Sequence, residues 1–189
     1  MKEGLLVILS GPSGVGKGTV RSVLMKDKSL NLVYSISLTT RPPRIGEING
    51  KDYFFTTKEN FEKQLREDGL LEYAKFVNNY YGTPKDFVVD TLKKGKNVLL
   101  EIETNGAKQV MEKCSDINFV SIFLLPPSFD DLKVRITNRH TETEEVINER
   151  LEKAKKEITL ASLYQYNVVN DTPENAANAI KEIIIKNSK

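Results

Sequence analysis

The chain is short of cysteine, of histidine and of long apolar runs, and each shortage excludes a class of protein. Its 189 residues include one cysteine, Cys114, and one histidine, His140. A single cysteine excludes an intrachain disulfide, and one cysteine with one histidine is too few for a zinc site of the usual composition. The apolar run Leu5–Leu9 is too short for a signal peptide or a membrane span, and later runs stay below roughly 18 residues. We therefore expect a reducing, cytoplasmic location.

Net charge is small as well. The chain carries 28 basic and 26 acidic side chains, for a formal charge of +2. This balance gives no bulk attraction to nucleic acid or to a membrane surface, so neither is expected as a partner, and no obligatory protein partner is apparent. Any binding of anions must come from local geometry. With 39% hydrophobic and 29% charged residues, the composition is that of one globular domain with a real core.

Apolar runs alternate with amphipathic stretches along most of the chain, which is typical of an α/β protein. Helical patterns lie between the predicted strands, so the strands are expected to be parallel and covered on both faces. Five segments are predicted to be strands of this sheet: 5–10, 33–38, 97–103, 119–125 and 166–169. Helices are predicted at 17–27, from Thr83-Pro84 to 94, from Ser128 to 137, from Thr141 to 161, and from Thr172-Pro173 onward.

Residues 34–83 interrupt this alternation. They contain two short predicted strands (53–56 and 70–77), a helix between the strands, and a loop at 39–52 that is rich in Arg, Pro and Gly. We interpret 34–83 as an inserted substrate-binding subdomain and the polar, charged residues 138–157 as a mobile lid. The rest of the chain, 1–33, 84–137 and 158–189, would form the core.

A glycine-rich turn follows the first predicted strand. It contains the pattern G-x-x-x-x-G-K at Gly11, Gly16 and Lys17. Glycines let backbone N–H groups turn inward around phosphate oxygens, and the helix that follows adds its positive N-terminal end. Lys17 is expected to reach the β- and γ-phosphates of ATP. The predicted donor site consists of Gly11, Pro12, Ser13, Gly14, Val15, Gly16, Lys17, Gly18 and Thr19.

One position departs from the strict phosphate-loop pattern. The residue after the lysine is normally Ser or Thr, whose hydroxyl meets Mg²⁺, but here it is Gly18. Thr19 follows directly. We therefore expect Mg²⁺ to arrive with the nucleotide, with Thr19 or Glu101 as possible ligands, and assign no metal site outright.

Two arginines form the second candidate anion site. Arg41 and Arg44 are three residues apart in a loop that is stiffened by Pro42 and Pro43. Two guanidinium groups held this close suit a phosphate dianion. Spacing alone does not decide the matter, because two solvated surface arginines would give the same pattern.

The segment around these arginines resembles the guanylate kinase family. Ser-x-Thr-Thr-Arg-x-x-Arg begins at Ser37 and is followed by Gly46-Glu47 and Gly50-Lys51-Asp52-Tyr53-x-Phe55. With the phosphate loop, the similarity covers nearly the whole chain, and it implies a P-loop NTPase-like fold and the reaction ATP + GMP ⇌ ADP + GDP with Mg²⁺. The other matching blocks are Glu72-Tyr73-Ala74, Asn79-Tyr80-Tyr81-Gly82-Thr83, Leu100-Glu101-Ile102-Glu103, Pro126-Pro127-Ser128, Thr141-Glu142-Thr143-Glu144-Glu145 and Val169-Asn170-Asp171.

The resemblance also implies roles for individual residues. Glu72 would read guanine, because an ionised carboxylate only accepts hydrogen bonds and guanine offers N1–H and a 2-amino group. AMP would leave such a carboxylate facing a lone pair, a mismatch that can discriminate by about 10⁴. The implied GMP site is Ser37, Glu72 and Thr83 for the base, Arg41, Arg44, Tyr53 and Tyr81 for the phosphate, with Gly82, Glu101 and Glu103. The implied catalytic cations are Lys17, Arg41, Arg135, Arg139 and Arg150, and Asn170 would lie near adenine.

Three positions depart from the family pattern. Asn138 and His140 flank Arg139 where glycines are common, and Asn105 precedes Gly106 where Gln is common. Two other functions remain open from the residues alone. One is a catalytically inactive guanylate-kinase-like module that binds proteins, and the other is a kinase for a different nucleoside monophosphate. Purine nucleotide metabolism is the expected context, and dGMP is a further expected acceptor.

Overall fold

Two sheets organise the part of the chain that the computed structural model describes, residues 2–137 and 143–188. The strands are β1 (Leu6–Ser10), β2 (Leu32–Tyr34), β3 (Leu38–Thr39), β4 (Phe54–Phe55), β5 (Leu70–Phe76), β6 (Asn79–Pro84), β7 (Asn97–Glu101), β8 (Phe119–Leu125) and β9 (Tyr166–Val169). The helices are α1 (Lys17–Leu24), α2 (Lys58–Arg66), α3 (Lys85–Lys93), α4 (Thr104–Lys113), α5 (Phe129–Thr137), α6 (Glu144–Ile158) and α7 (Pro173–Asn187).

The larger sheet has five strands in the order β2-β7-β1-β8-β9, and all neighbours are parallel. This arrangement confirms the predicted α/β class and the five-stranded parallel sheet. Strand β1 is central and buried along its whole length. Leu6 and Ile8 pack into one apolar cluster, and Leu5, Val7 and Leu9 pack into another. Successive side chains of a strand point to opposite faces, so a strand covered on both sides reads as an unbroken apolar run.

The smaller sheet, with the order β4-β3-β6-β5, lies within the interrupted region 34–83. Helix α4 contacts its edge strand β5. The Gln109 side chain accepts a hydrogen bond from the Tyr73 N–H (3.1 Å) and donates one to the Tyr73 carbonyl (3.0 Å). Gln109 thereby satisfies both backbone groups of one edge residue, as a further strand would. This contact fixes the smaller sheet against α4.

Several predicted boundaries differ from the observed ones, and in two of them a segment joins the smaller sheet. The predicted strand 33–38 is divided, since Tyr34 pairs with β7 whereas Leu38 pairs with Gly82 and Phe54. The helix predicted to begin at Thr83-Pro84 begins at Lys85, because Pro84 still pairs with Leu70. The predicted strand 97–103 ends at Glu101. Strand β6 and the bounds of α4 had not been predicted.

The long charged helix was predicted to open at Thr141, which lies outside the described residues. In the described part, α6 begins at Glu144, and the Thr143 hydroxyl accepts a hydrogen bond from the Val146 N–H as its N-cap. The helix ends at Ile158 and continues as a 3₁₀ turn, Thr159–Leu163. Among the helices of the described ranges, none has the length and apolar character that crossing a bilayer requires.

Candidate active site

The phosphate loop joins the end of β1 to the start of α1 at a position where only glycine fits. Gly16 has φ 98°, and a Cβ there would lie 2.7 Å from the Asn170 amide nitrogen. At Gly11, with φ 148°, a Cβ would lie 2.5 Å from the Leu124 carbonyl oxygen. These left-handed and tightly packed positions account for the glycine spacing. The loop is therefore fixed against β8 and against the segment that follows β9.

Two predicted site residues support the loop directly. The Asn170 amide donates to the Val15 carbonyl (2.7 Å). The Arg135 guanidinium donates to the same carbonyl (3.2 Å) and to the Asn170 carbonyl (2.9 Å). Both side chains thus bind the backbone of the loop region. Their predicted contacts with donor phosphates and with adenine stay predictions.

Lys17 lies inside the loop. Its ammonium group donates to the carbonyl oxygens of Gly11 (2.6 Å) and Pro12 (3.2 Å). Burial lowers the pKa of Lys17, and the carboxylates of Glu101 and Glu157 act in the opposite direction. The ammonium group faces a cavity of about 480 Å³, the donor cavity. Its lining residues are Gly11, Ser13, Gly14, Gly16, Lys17, Gly18, Thr19, Glu101, Ile102, Glu103 and Glu157.

Helix α6 contacts the phosphate loop through one charged face, and Glu157 of that face lines the donor cavity. Arg150 donates to the Ser13 hydroxyl (3.0 Å), and Glu157, seven residues later, accepts a hydrogen bond from the Ser13 N–H (3.3 Å). Lys153 lies between them and donates to Glu103 (3.2 Å). Residues at this spacing share a helix face. Arg139, the other predicted lid cation, lies outside the described residues.

A second cavity, of about 830 Å³, lies between the two sheets' facing ends, and we call it the acceptor cavity. It brings together six residues that the sequence had assigned to GMP: Ser37, Tyr53, Glu72, Tyr81, Glu101 and Glu103. Other lining residues had not been predicted, among them Arg21, Tyr34, Lys51, Asp52, Lys75 and Asn105. Arg21 lies one helical turn after Lys17, so helix periodicity was the signal that could have identified it.

Glu72 is the buried acid of the acceptor cavity, with 6% of its surface exposed. Thr83 donates a hydrogen bond to Glu72 Oε1 at 2.6 Å. Gly82, the residue before Thr83, is also buried. Burial raises the pKa of Glu72, the nearby Glu103 charge raises it further, and the Thr83 hydrogen bond lowers it. Gly106 of α4 leaves room for the carboxylate, since a Cβ there would lie 2.7 Å from Oε2.

The two arginines of the predicted phosphate cradle have different surroundings. Arg41 donates through Nη2 to both oxygens of Glu47 (2.7 and 2.9 Å), and its guanidinium lies 5.3 Å from the Tyr53 ring centre. The Glu47 carboxylate raises the pKa of Arg41 and is itself held at a lowered pKa. The Arg44 side chain is exposed, and its backbone N–H donates to Glu47 (2.7 Å). Among the described residues that line the acceptor cavity, neither arginine appears.

The donor and acceptor cavities meet at the end of β7. Glu101, Ile102 and Glu103 line both of them. Strand β7 is the neighbour of β1, so the carboxyl ends of these two parallel strands place the three residues beside the phosphate loop. The two cavities are therefore neighbours that share one wall.

The same junction suits a nucleotide-bound Mg²⁺. Within the described residues, no group of three or more His, Cys, Asp or Glu could hold a metal on its own. Glu101 Oε2 is buried and makes no hydrogen bond to a described residue, although it lies 2.8 Å from Arg21 Nη1. Its other oxygen faces Gly18, at 3.7 Å from where a Cβ would stand. Thr19 lines the same donor cavity as Glu101, and hydroxyl and carboxylate oxygens are ligand types that suit a Mg²⁺ ion also bound by phosphates.

Comparison with known proteins gives one family. The family model described as guanylate kinase matches residues 3–187. The guanylate kinase of Latilactobacillus sakei subsp. sakei (strain 23K) is 51% identical over 182 residues, 96% of this chain and 89% of that protein. The guanylate kinase of Lactococcus lactis subsp. lactis (strain IL1403) is 53% identical over 183 residues, 97% and 88% respectively. The crystal structure of guanylate kinase from Anaplasma phagocytophilum has a TM-score of 0.76 at 33% identity, covering 100% of this chain and 88% of that one.

Proposed function

This chain belongs to the guanylate kinase family, and we propose that it transfers the γ-phosphoryl group of ATP to GMP, giving ADP and GDP. The observation that carries the proposal is the meeting of the two cavities at Glu101, Ile102 and Glu103, with a phosphate loop on one side and a buried carboxylate on the other. We further propose dGMP as a second acceptor, the cytoplasm as location and purine nucleotide metabolism as context.

The donor nucleotide would bind with its phosphates in the loop Gly11–Thr19. Backbone N–H groups and Lys17 would neutralise the β- and γ-phosphates. Arg150 reaches this cavity from α6 through Ser13, which supports its role as a cation near the transferred group. Thr19 and Glu101 would hold Mg²⁺ together with phosphate oxygens. When bound, Mg²⁺ supplies charge neutralisation between the β- and γ-phosphates.

The acceptor would bind with guanine at Glu72. An ionised carboxylate at this buried position can accept from N1–H and the 2-amino group, while the Ser37 hydroxyl is available to donate to O6. The Thr83 hydroxyl hydrogen is already donated to Glu72, so Thr83 would have to give up that bond to donate to O6. The Thr83–Glu72 hydrogen bond orients the carboxylate. The phosphate of GMP would bind Arg41, Arg44, Tyr53 and Tyr81. Because Glu47 already pairs with Arg41, the phosphate must share or displace that contact.

Transfer at the junction needs positioning more than proton chemistry. The nucleophile is a phosphate oxygen that is already anionic, so no strong general base is required. The bond from the γ-phosphorus to the bridging oxygen of ADP breaks as the bond to the GMP oxygen forms. Lys17 and Arg150 stabilise the charge that spreads over the transferred group. We assign 34–83 to GMP binding, 138–157 to a lid, and 1–33, 84–137 and 158–189 to the core, with closure excluding water.

A panel of acceptors tests this function. GMP, dGMP, AMP, dTMP and CMP are incubated with ATP and Mg²⁺, and ADP formation is followed by a coupled assay. We expect GMP to be preferred over AMP by a factor of about 10⁴ in kcat/KM. Preference for another monophosphate would replace GMP as the acceptor. A protein that shows a cooperative thermal unfolding transition, and is therefore folded, but turns over none of these acceptors would instead favour a protein-binding module.

A further inference from the structure

Arg21 is a charged residue of the junction to which the resemblance assigns no role. It lies on α1 four residues after Lys17, and its side chain is 31% exposed. Its guanidinium carbon lies 4.4 Å from the centre of the Tyr34 ring, a cation–π contact. Nη1 lies 2.8 Å from Glu101 Oε2. Arg21 therefore lines the acceptor cavity, and its charge is directed at Glu101, one of the three residues that both cavities share.

Glu101 needs a cation at this place. Its side chain is 17% exposed and stands where two phosphate groups must approach each other. An unpaired carboxylate there would repel both of them. Among the charges near Lys17, the Glu101 carboxylate does most to raise the pKa of Lys17. Glu101 thus lies between two cations of the same helix, with Lys17 on the donor side and Arg21 on the acceptor side.

We propose that Arg21 is a positioning residue of the phosphoryl-transfer site, which holds the Glu101 carboxylate at the junction and cancels its charge toward the acceptor phosphate. This inference rests on the proposed function. It assigns Arg21 an effect on GMP that passes through Glu101 and is greater than its effect on ATP. Tyr34 takes part by restricting the guanidinium to the orientation that meets Glu101.

Arg21 has an alternative role that does not depend on its charge, and variants of Arg21 can distinguish the two roles. Arg21 could serve only as packing for Tyr34, in which case the long apolar stem of any similar side chain would suffice. Arg21→Met keeps much of that stem and removes the charge, whereas Arg21→Lys keeps both the stem and the charge. Arg66→Met is the matched control, because Arg66 is exposed on α2.

The test is GMP binding measured by calorimetry without ATP, so that it does not depend on turnover. We expect Arg21→Met to weaken GMP binding about tenfold, with Arg21→Lys in between and Arg66→Met unchanged. In the double variant Arg21→Met/Glu101→Gln, the unpaired charge is gone, and GMP should bind more tightly than it does to Arg21→Met alone. In steady-state assays, Arg21→Met should raise KM for GMP more than KM for ATP.

The outcomes separate three failures. If wild-type protein does not bind GMP, the proposed function itself fails. If wild type binds and Arg21→Met binds equally well, the inference alone is wrong. If the double variant is as weak as Arg21→Met, Arg21 acts on GMP without Glu101, and the positioning role is overturned. Thermal unfolding of each variant shows whether the fold is kept, and Arg21→Lys carries the test if Arg21→Met does not fold.

Discussion

The ammonium group of Lys17 contacts two carbonyl oxygens of its own loop, those of Gly11 and Pro12. A donor phosphate would offer Lys17 charged oxygens in place of these weaker acceptors. The resulting stabilisation is greater in the transition state of phosphoryl transfer than in the ground state. We therefore expect Lys17→Met to lower kcat by roughly 10²- to 10³-fold. ADP formation with saturating GMP measures it. Lys26→Met, at an exposed position just after α1, should match wild type. A wild-type kcat in Lys17→Met would remove Lys17 from the catalytic set.

Glu72 gives a pH dependence with a definite sign. Burial raises its pKa, so protonated carboxyl forms at a higher pH than for an exposed glutamate. Protonated Glu72 cannot accept from both N1–H and the 2-amino group. The preference for GMP over IMP, which lacks only the 2-amino group, should therefore shrink as pH falls through that raised pKa. Since both ligands carry the same phosphate, the titration of the phosphate cancels in the ratio of their dissociation constants.

Glu72→Gln is the reference for that experiment. Its GMP to IMP ratio should be low and should not change with pH. The same raised pKa also makes the folding stability depend on pH: the contribution of Glu72 to stability falls as pH rises. A folded-state pKa above the unfolded one gives stability that is full below the unfolded pKa and is lost as pH rises through the folded pKa. Glu72→Gln should thus unfold at a higher temperature than wild type at neutral pH. A ratio that falls with pH equally in both proteins would exclude Glu72 as the base reader.

Sequence patterns by themselves indicate local motifs, whereas the predicted residues that contact the loop region from far along the chain were assigned only through the resemblance: Arg135, Arg150 and Asn170. The phosphate loop and Glu72 were found because glycine spacing and a matching block marked them. Glu157 was missed because its contact with Ser13 joins residues 144 apart along the chain. Arg44 was assigned with Arg41 on spacing, yet the structure shows different surroundings for the two, since a loop of irregular backbone does not fix side-chain direction.

At the scale of elements, apolar runs predicted the central parallel strands well, because both faces of β1 and β8 are buried. Strand β6 was missed. It begins after a turn at Val77 and Asn78, which both have positive φ (45° and 63°). Asn tolerates that conformation, but a β-branched residue rarely adopts it, so Val77-Asn78 is not a recognisable hairpin turn in the sequence. Because β6 begins with polar residues, its start resembles a loop in the sequence.

Helix α4 offers a prediction in which stability and function separate. Gly106 lies inside this helix, where Ala is the better helix former by about 1 kcal/mol. A Cβ at Gly106 would nevertheless lie 2.7 Å from Glu72 Oε2 and displace the carboxylate. We expect Gly106→Ala to raise KM for GMP about tenfold or more while the melting temperature stays near that of wild type. Lys108→Ala, at an exposed position of α4, is the control for helix propensity. Unchanged GMP kinetics in Gly106→Ala would show that Glu72 can move freely.

At the scale of the whole molecule, the site is assembled from segments far apart in the chain. The loop after β1, the end of β7 and the C-terminal half of α6 meet at the donor cavity. The sequence predicted that the strands are parallel but not their order in the sheet. That order depends on how the crossover helices pack, which no single segment shows. The proposed lid, 138–157, therefore reaches the phosphate loop through α6 rather than standing apart from it.

The contact between Glu157 and Ser13 places a negative charge in the proposed phosphate site, and the consequence can be measured. Glu157 accepts from the Ser13 N–H, one of the loop donors that a phosphate would also use. Donor phosphates and the carboxylate compete for this group and repel each other. Glu157→Gln keeps the size and the acceptor oxygen but removes the charge. We expect it to bind ATP and ADP about three- to tenfold more tightly, with a smaller gain at high salt.

Adenosine supplies the decisive comparison for Glu157, because it fills the nucleoside part of the site without phosphates. Calorimetric titrations of ATP, ADP and adenosine into Glu157→Gln should show a gain that grows with phosphate number and disappears for adenosine. Glu149→Gln, at an exposed position of the same helix, should leave all three affinities unchanged. An equal gain for adenosine, or weaker ATP binding, would mean that Glu157 only buttresses Ser13. A charge-dependent gain would instead show that α6 lowers nucleotide affinity and so favours the release of ADP after transfer.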